Sequence, residues 1–213
     1  MDLAQQLEEF RSALEANAAT YELSLTAGAL EGLSKYYELL TVWNSRLHLV
    51  APTAPREFAT RHILESLILL KHLPRDARIA DIGSGAGLPI IPCLAVRPDL
   101  RATMIEASPK KAVFLREAVG AVLNHKGQAS VVAERFENVP TPEVGFITCR
   151  ALENFTAMIP KMLEWAPGDA KLLLFGGEGL GKSMEDAGCV ASVILIPNSQ
   201  RRFLFVIDKA TGA

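Results

Sequence analysis

The chain has 213 residues, 49% of them hydrophobic and 22% charged, and its 22 Lys and Arg against 24 Asp and Glu leave a net charge of −2. This composition excludes a disordered or disulfide-built protein and fits one α/β core of ordinary size with an extension. A pI near 6.1 also excludes coating of bare nucleic acid by overall charge, so a nucleic-acid partner has to meet a local patch or a larger particle.

No apolar run reaches the length that spans a bilayer, and the start is acidic and amphipathic rather than signal-like, so no membrane partner and a cytoplasmic location are expected. Cys93, Cys149 and Cys189 match neither a zinc spacing nor a disulfide framework and read as buried reduced thiols. His48, His62, His72 and His125 form no ligand pair, so no metal is expected.

Apolar residues Leu3, Leu7, Phe10 and Leu14 recur on one helical face over 3–16, and a second helix runs from about 27 through Tyr36, Tyr37, Leu40 and Trp43. These predict an N-terminal helical extension over 1–72, packed on a core over 73–213. Pro52 and Pro55 end the second helix, and 57–67 predicts another with Phe58, His62 and Glu65 near one face.

The organising stretch is Arg78-Ile79-Ala80-Asp81-Ile82-Gly83-Ser84-Gly85-Ala86-Gly87-Leu88-Pro89. A short apolar run ending in an acid and alternating glycines predicts a strand, a tight turn and a helix over 88–96. Gly83, Gly85 and Gly87 admit close backbone approach to a ligand. Leu88 stands where a dinucleotide site has its third glycine, and Asp81 would repel a pyrophosphate. The same carboxylate suits the cationic S-adenosylmethionine, so the pattern points to a methyltransferase.

A second strand over 101–105 ends at Glu106, placed to hold a ribose hydroxyl pair. Pro109 opens a helix with a wide apolar face. A strand over 129–133 leads into Glu134-Arg135-Phe136-Glu137-Asn138, where Phe136 can pack on an adenine and Glu137 or nearby backbone can meet its edge. A strand over 144–149 ends at Arg150, where open α/β sheets hold ligands. Strands over 171–175, 192–196 and 202–207 complete the sheet, the last two joined by a turn at 197–200, which makes the C-terminal edge antiparallel.

Gly176-Gly177-Glu178-Gly179-Leu180-Gly181-Lys182-Ser183 satisfies a phosphate-loop pattern, and Phe203–Asp208 resembles a magnesium-holding strand. Both read as coincidence. Gly188 leaves room for only about one turn of helix after Ser183, and Glu178 repels phosphate.

The ordered series of motifs resembles the bacterial small-subunit ribosomal RNA guanine-N7 methyltransferases, the RsmG or GidB family, from about 36 to 175. Trp43-Asn44 with His48-Leu49, Arg61-His62-Ile63-Leu64-Glu65-Ser66, Asp81 to Pro89, Lys110 with Phe114-Leu115, Arg135-Phe136-Glu137 and Thr148-Cys149-Arg150-Ala151 carry the resemblance. Three departures stand out. His48 replaces a usual Asn, Glu65 a usual Asp, and Gly176 a usual Lys, whose charge Lys182 could return.

The resemblance implies a Rossmann-like class I methyltransferase fold with a mostly parallel seven-stranded sheet, acting as a monomer without an obligate protein partner. It implies S-adenosylmethionine as cofactor and the decoding-region guanosine of 16S ribosomal RNA, or the small subunit, as substrate. Asp81, Gly83, Ser84, Gly85, Gly87, Leu88, Glu106, Phe136, Glu137 and Arg150 would bind the cofactor. Arg150, Arg61, His62 and Asn44 would position substrate, with no general base. A methyltransferase of another substrate class, or a cofactor-binding ribosome-assembly module without turnover, is the alternative.

Overall fold

The computed structural model describes residues 2–123, 127–150, 154–186 and 188–209; His125 and Ala151 lie outside them. Seven strands form one sheet in the order β3-β2-β1-β4-β5-β7-β6. They are β1 (Arg78–Ile82), β2 (Arg101–Ile105), β3 (Ala129–Val132), β4 (Phe146–Arg150), β5 (Lys171–Gly176), β6 (Ser192–Leu195) and β7 (Phe203–Asp208). The pairs β1–β2, β1–β4, β2–β3 and β4–β5 are parallel, while β7 runs antiparallel to both β5 and β6. This is the expected Rossmann-like class I methyltransferase architecture with its antiparallel edge.

Both faces of the sheet are covered, as parallel strands without solvated faces require. One core cluster joins the sheet to α1 (Leu3–Asn17), α2 (Ala27–Leu47), α5 (Ile90–Val96) and α6 (Pro109–Val122); the other joins it to α7 (Phe155–Trp165) and α8 (Glu178–Asp186). Phe10 stacks on Tyr37 at 4.4 Å, so the N-terminal aromatics are core, as their spacing predicts. Among the described residues no helix is long and apolar enough to cross a membrane.

The helix expected over 57–67 is not regular. Pro55–Phe58 (α3) and Glu65–Leu67 (α4) flank a π-helical stretch, Ala59–Leu64, in which the Glu65 N–H reaches back to the Thr60 carbonyl. Thr60 and Ser66 hydroxyls bond carbonyls a turn earlier, which relaxes the α pattern. The helix after the glycine turn starts at Ile90 rather than 88, because the turn itself extends through Pro89.

The phosphate-loop pattern is no loop. Helix α8 starts at Glu178 and so takes in Gly179 and Gly181 themselves, with only residues 184–186 following Ser183, about the single turn expected there. A Cβ on Gly176 would lie 2.3 Å from Leu180 Cδ2 and 2.8 Å from its Cβ, so the glycine lets α8 close directly on β5. Asp208 faces Lys171 across the β5–β7 ladder and pairs with it at 3.1 Å, at the end of the sheet away from the carboxyl ends of the parallel strands.

Candidate functional site

A cleft of about 590 Å³ opens at the carboxyl ends of β1, β2 and β4. Gly83, Ser84, Gly85 and Leu88 form its floor, and Glu106, Phe136, Glu137, Arg150 and His62 stand in its walls. Nine of the residues predicted from sequence thus meet in one place. Gly87, Asp81, Arg61 and Asn44 do not line it.

The floor is pinned from three sides. Gly83 and Ser84 N–H groups donate to the Ile105 carbonyl at 2.9 and 3.2 Å, tying the turn to β2. Tyr36 of α2 donates its hydroxyl to the Ala86 carbonyl at 2.6 Å. The N-terminal helices therefore hold the turn as well as the core. Gly87 has φ +83°, and a Cβ there would meet Ile91 at 2.4 Å, so its role is to let the turn pack on α5.

Glu106 ends β2 with its carboxylate accepting from the N–H groups of Gly85 and Ser108 at 2.8 and 2.7 Å. Each oxygen retains a second lone pair, the requirement for binding a diol. Phe136 is nearly enclosed and meets Trp165 edge-on at 5.8 Å, so its ring is fixed. Glu137 pairs with Lys161 at 3.5 Å.

Asp81 lies beneath the turn. Ile79 belongs to one core cluster and Ala80 and Ile82 to the other, so strand alternation points Asp81 to the α5 side. It is fully buried, Thr148 Oγ1 donates to its Oδ1 at 2.6 Å, and Oδ2 has no partner among the described residues. Burial pushes its carboxyl up to about 7.

The arginine wall is built around a buried anion. Glu65 is 1% exposed and accepts from Arg202 Nη2 at 2.7 Å and Nε at 3.1 Å through Oε1, and from Arg150 Nη2 at 3.3 Å through Oε2. Arg150 also donates to Ser66 Oγ at 3.2 Å and to the Arg61 carbonyl at 2.8 Å, with its guanidinium 5.3 Å over the Phe175 ring. One carboxylate facing two guanidiniums leaves this wall with a net positive charge. Arg61 contributes its carbonyl; its side chain is half-exposed and paired with Glu57.

His62 packs on Phe58 at 4.9 Å. Desolvation, then the charges of Arg150 and Arg61, lower its imidazole to about 4, against which Glu57 acts weakly. It is neutral at physiological pH. Asn44 is a loop clamp: its amide donates to the Val50 carbonyl at 3.0 Å and accepts the Val50 N–H at 2.9 Å, fixing the segment Leu49–Ala51 that forms the cleft rim. His48 caps α2 in the left-handed region at φ +48°, a conformation Asn and His both favour.

Lys182 is exposed on α8 and does not line the cleft. Arg202 directly precedes Phe203, the partner of Gly176 across the β5–β7 ladder. Sequence reading missed Arg202, and also Lys111, Asn154 and Met158 in the walls. The strand-opening place of Arg202 on the antiparallel edge was the available signal.

The fold is similar to a SAM-dependent methyltransferase from Aquifex aeolicus, with TM-score 0.55 and 18% identity over 71% of this chain and 93% of that one. It is also similar to precorrin-6y C5,15-methyltransferase from Geobacter metallireducens, with TM-score 0.52 and 15% identity over 68% and 87%. In sequence, the Ribosomal RNA small subunit methyltransferase G proteins of Nitrosomonas eutropha and Geobacter sp. are 36% and 30% identical. Those matches cover 77% and 85% of this chain, and 75% and 84% of the relatives. The protein of that name from Xanthomonas axonopodis pv. citri is 39% identical over 64% of this chain, which spans 63% of its length. The family model for GidB, rRNA small subunit methyltransferase G, matches residues 29–189, and the chain belongs to that family.

Proposed function

We propose that this protein transfers a methyl group from S-adenosylmethionine to N7 of a guanosine in 16S ribosomal RNA, within or free of the small subunit. The observation that carries the reading is the cleft itself: a glycine floor, a diol-ready carboxylate at Glu106, a fixed Phe136 ring and a cationic wall around Arg150.

The residues fit the cofactor. Asp81 has an unpaired buried oxygen that an ammonium would satisfy, Glu106 has free acceptor lone pairs for a ribose, and Phe136 offers a face to an adenine. When bound, the cofactor would supply a methyl on a sulfonium, an electrophile for the N7 lone pair.

Guanine N7 carries no proton, so the chain needs no general base, and the neutral His62 is consistent with that. Its work is alignment and exclusion of water. Arg150 is suited to O6 or a phosphate, because a guanidinium on N7 itself would occupy the attacking lone pair. In this reading Arg61 and Asn44 act as positioning residues, Arg61 through its carbonyl on Arg150 and Asn44 through the rim. The net positive wall is the local patch through which an acidic protein can meet RNA.

Isothermal titration with S-adenosylmethionine, followed by transfer of labelled methyl to small subunits and to deproteinised 16S ribosomal RNA, tests the proposal. Cofactor binding with label in ribosomal RNA is expected. Binding without transfer to either would favour an assembly module, and no binding would refute the cofactor reading.

A further inference from the structure

His62 stands in the cleft wall without an internal task for its ring. Phe58 covers one face of the imidazole, and among the described residues neither ring nitrogen has a hydrogen-bond partner. The residue before it holds Arg150: the Arg61 carbonyl accepts from Arg150 Nη2 at 2.8 Å, so the imidazole and the guanidinium share one wall. Within the π-helical stretch Arg61 pairs outward with Glu57 while His62 lines the cleft.

The two side chains differ in chemistry. Arg150 only donates, whereas a neutral imidazole offers one donor and one acceptor. Burial and three arginines, Arg150, Arg61 and Arg202, oppose a proton on His62, and Glu57 acts for it. An acceptor is therefore maintained beside a cation. Guanine presents that complement on its Watson–Crick side, with the O6 acceptor next to the N1–H donor, whereas adenine presents an amino donor at position 6 and an acceptor at N1.

We propose that His62 determines base selection, its free ring nitrogen accepting the N1–H of the target guanine while Arg150 donates to O6. This rests on the guanosine reading above. It leaves N7 uncontacted and open to the methyl donor. Adenine is rejected because its amino group would face the guanidinium without an acceptor, and a buried unpaired polar group is costly.

The test compares wild type with His62→Ala, His62→Gln and His62→Lys in single-turnover methylation of small subunits from cells lacking this activity, at saturating S-adenosylmethionine and subunits. Cofactor affinity by calorimetry and thermal midpoints are followed in parallel. Gln keeps an acceptor; Lys adds a charge but only donates. The expected rates fall about tenfold or more for Ala and Lys and return to within about threefold of wild type for Gln, at unchanged cofactor affinity. His62→Lys at the wild-type rate would show that charge, not acceptance, matters, and His62→Ala at that rate, or Gln as slow as Ala, would also overturn the assignment. If His62→Ala fails to fold, the Gln–Lys contrast decides. Nucleoside analysis of the wild-type product separates the two readings: without N7-methylguanosine both fall, and with it only the His62 role is at stake.

Discussion

Glu65 and Arg202, 137 positions apart in the chain, are joined by two hydrogen bonds of 2.7 and 3.1 Å. This bond ties the irregular N-terminal helix to the residue just before β7, and the same carboxylate holds Arg150 at the cleft. Removing it leaves buried guanidinium charge uncompensated. Glu65→Ala is expected to cost about 3–5 kcal/mol in urea unfolding. Glu65→Asp is one methylene shorter and should fall between Ala and wild type, losing one of the two arginines.

Asp81 gives the fold a specific pH dependence. Burial raises its carboxyl to about 7, with Glu106 adding and the Thr148 and Ser84 hydroxyls opposing. A carboxyl that binds its proton more tightly in the folded chain stabilises at acid pH. That contribution is complete below the ordinary value of 3.8 and is lost as pH rises through about 7. The stability of wild type relative to Asp81→Asn should therefore decline from about pH 4 to about pH 7 and then level off. A cationic ligand at Oδ2 favours the ionised form, so cofactor affinity of the wild type should rise over the same window. Unfolding and calorimetry at three pH values check both; equal profiles in the two proteins would contradict the linkage.

Two glycine-to-alanine changes should have opposite signs. Gly87→Ala meets φ +83° and a contact of 2.4 Å to Ile91, so it should lower the thermal midpoint and weaken cofactor binding, with a cost of about 1–2 kcal/mol from the backbone alone. Gly120, within α6, has open space where a Cβ would stand, and Gly120→Ala should stabilise by about 0.5–1 kcal/mol. Thermal unfolding of the pair, with titration of the cofactor, separates the effects.

Asn44→Ala removes both hydrogen bonds to Val50 and frees the rim. The rim borders the cleft but the glycine floor is held independently by Ile105 and Tyr36. The expected outcome is weaker RNA binding by about 1–2 kcal/mol with cofactor affinity within a factor of about two of wild type. Filter binding of 16S ribosomal RNA and calorimetry provide the two numbers.

What was legible in the sequence was local. Asp81 to Gly87 followed by Glu106 is a strand, turn, helix and strand within about thirty residues, and short-range pattern determines it. The antiparallel edge followed from one turn at 197–200. Relations that close across the sheet were not legible: Arg202 reaches Glu65 only because β7 inserts beside β5. The π-helical stretch was hidden too, since its apolar spacing resembles an α-helix while hydroxyl–carbonyl bonds shift its pattern. The enclosed side of Asp81 follows from counting strand alternation from Ile79, once the layers on each face are known.

The most direct test of the central claim is mass-spectrometric nucleoside analysis of 16S ribosomal RNA after reaction of unmethylated small subunits, or the deproteinised RNA, with the pure protein and isotopically labelled S-adenosylmethionine. Labelled N7-methylguanosine in the RNA is the predicted result. Label on another base or position, or none in RNA while the cofactor binds, would contradict it.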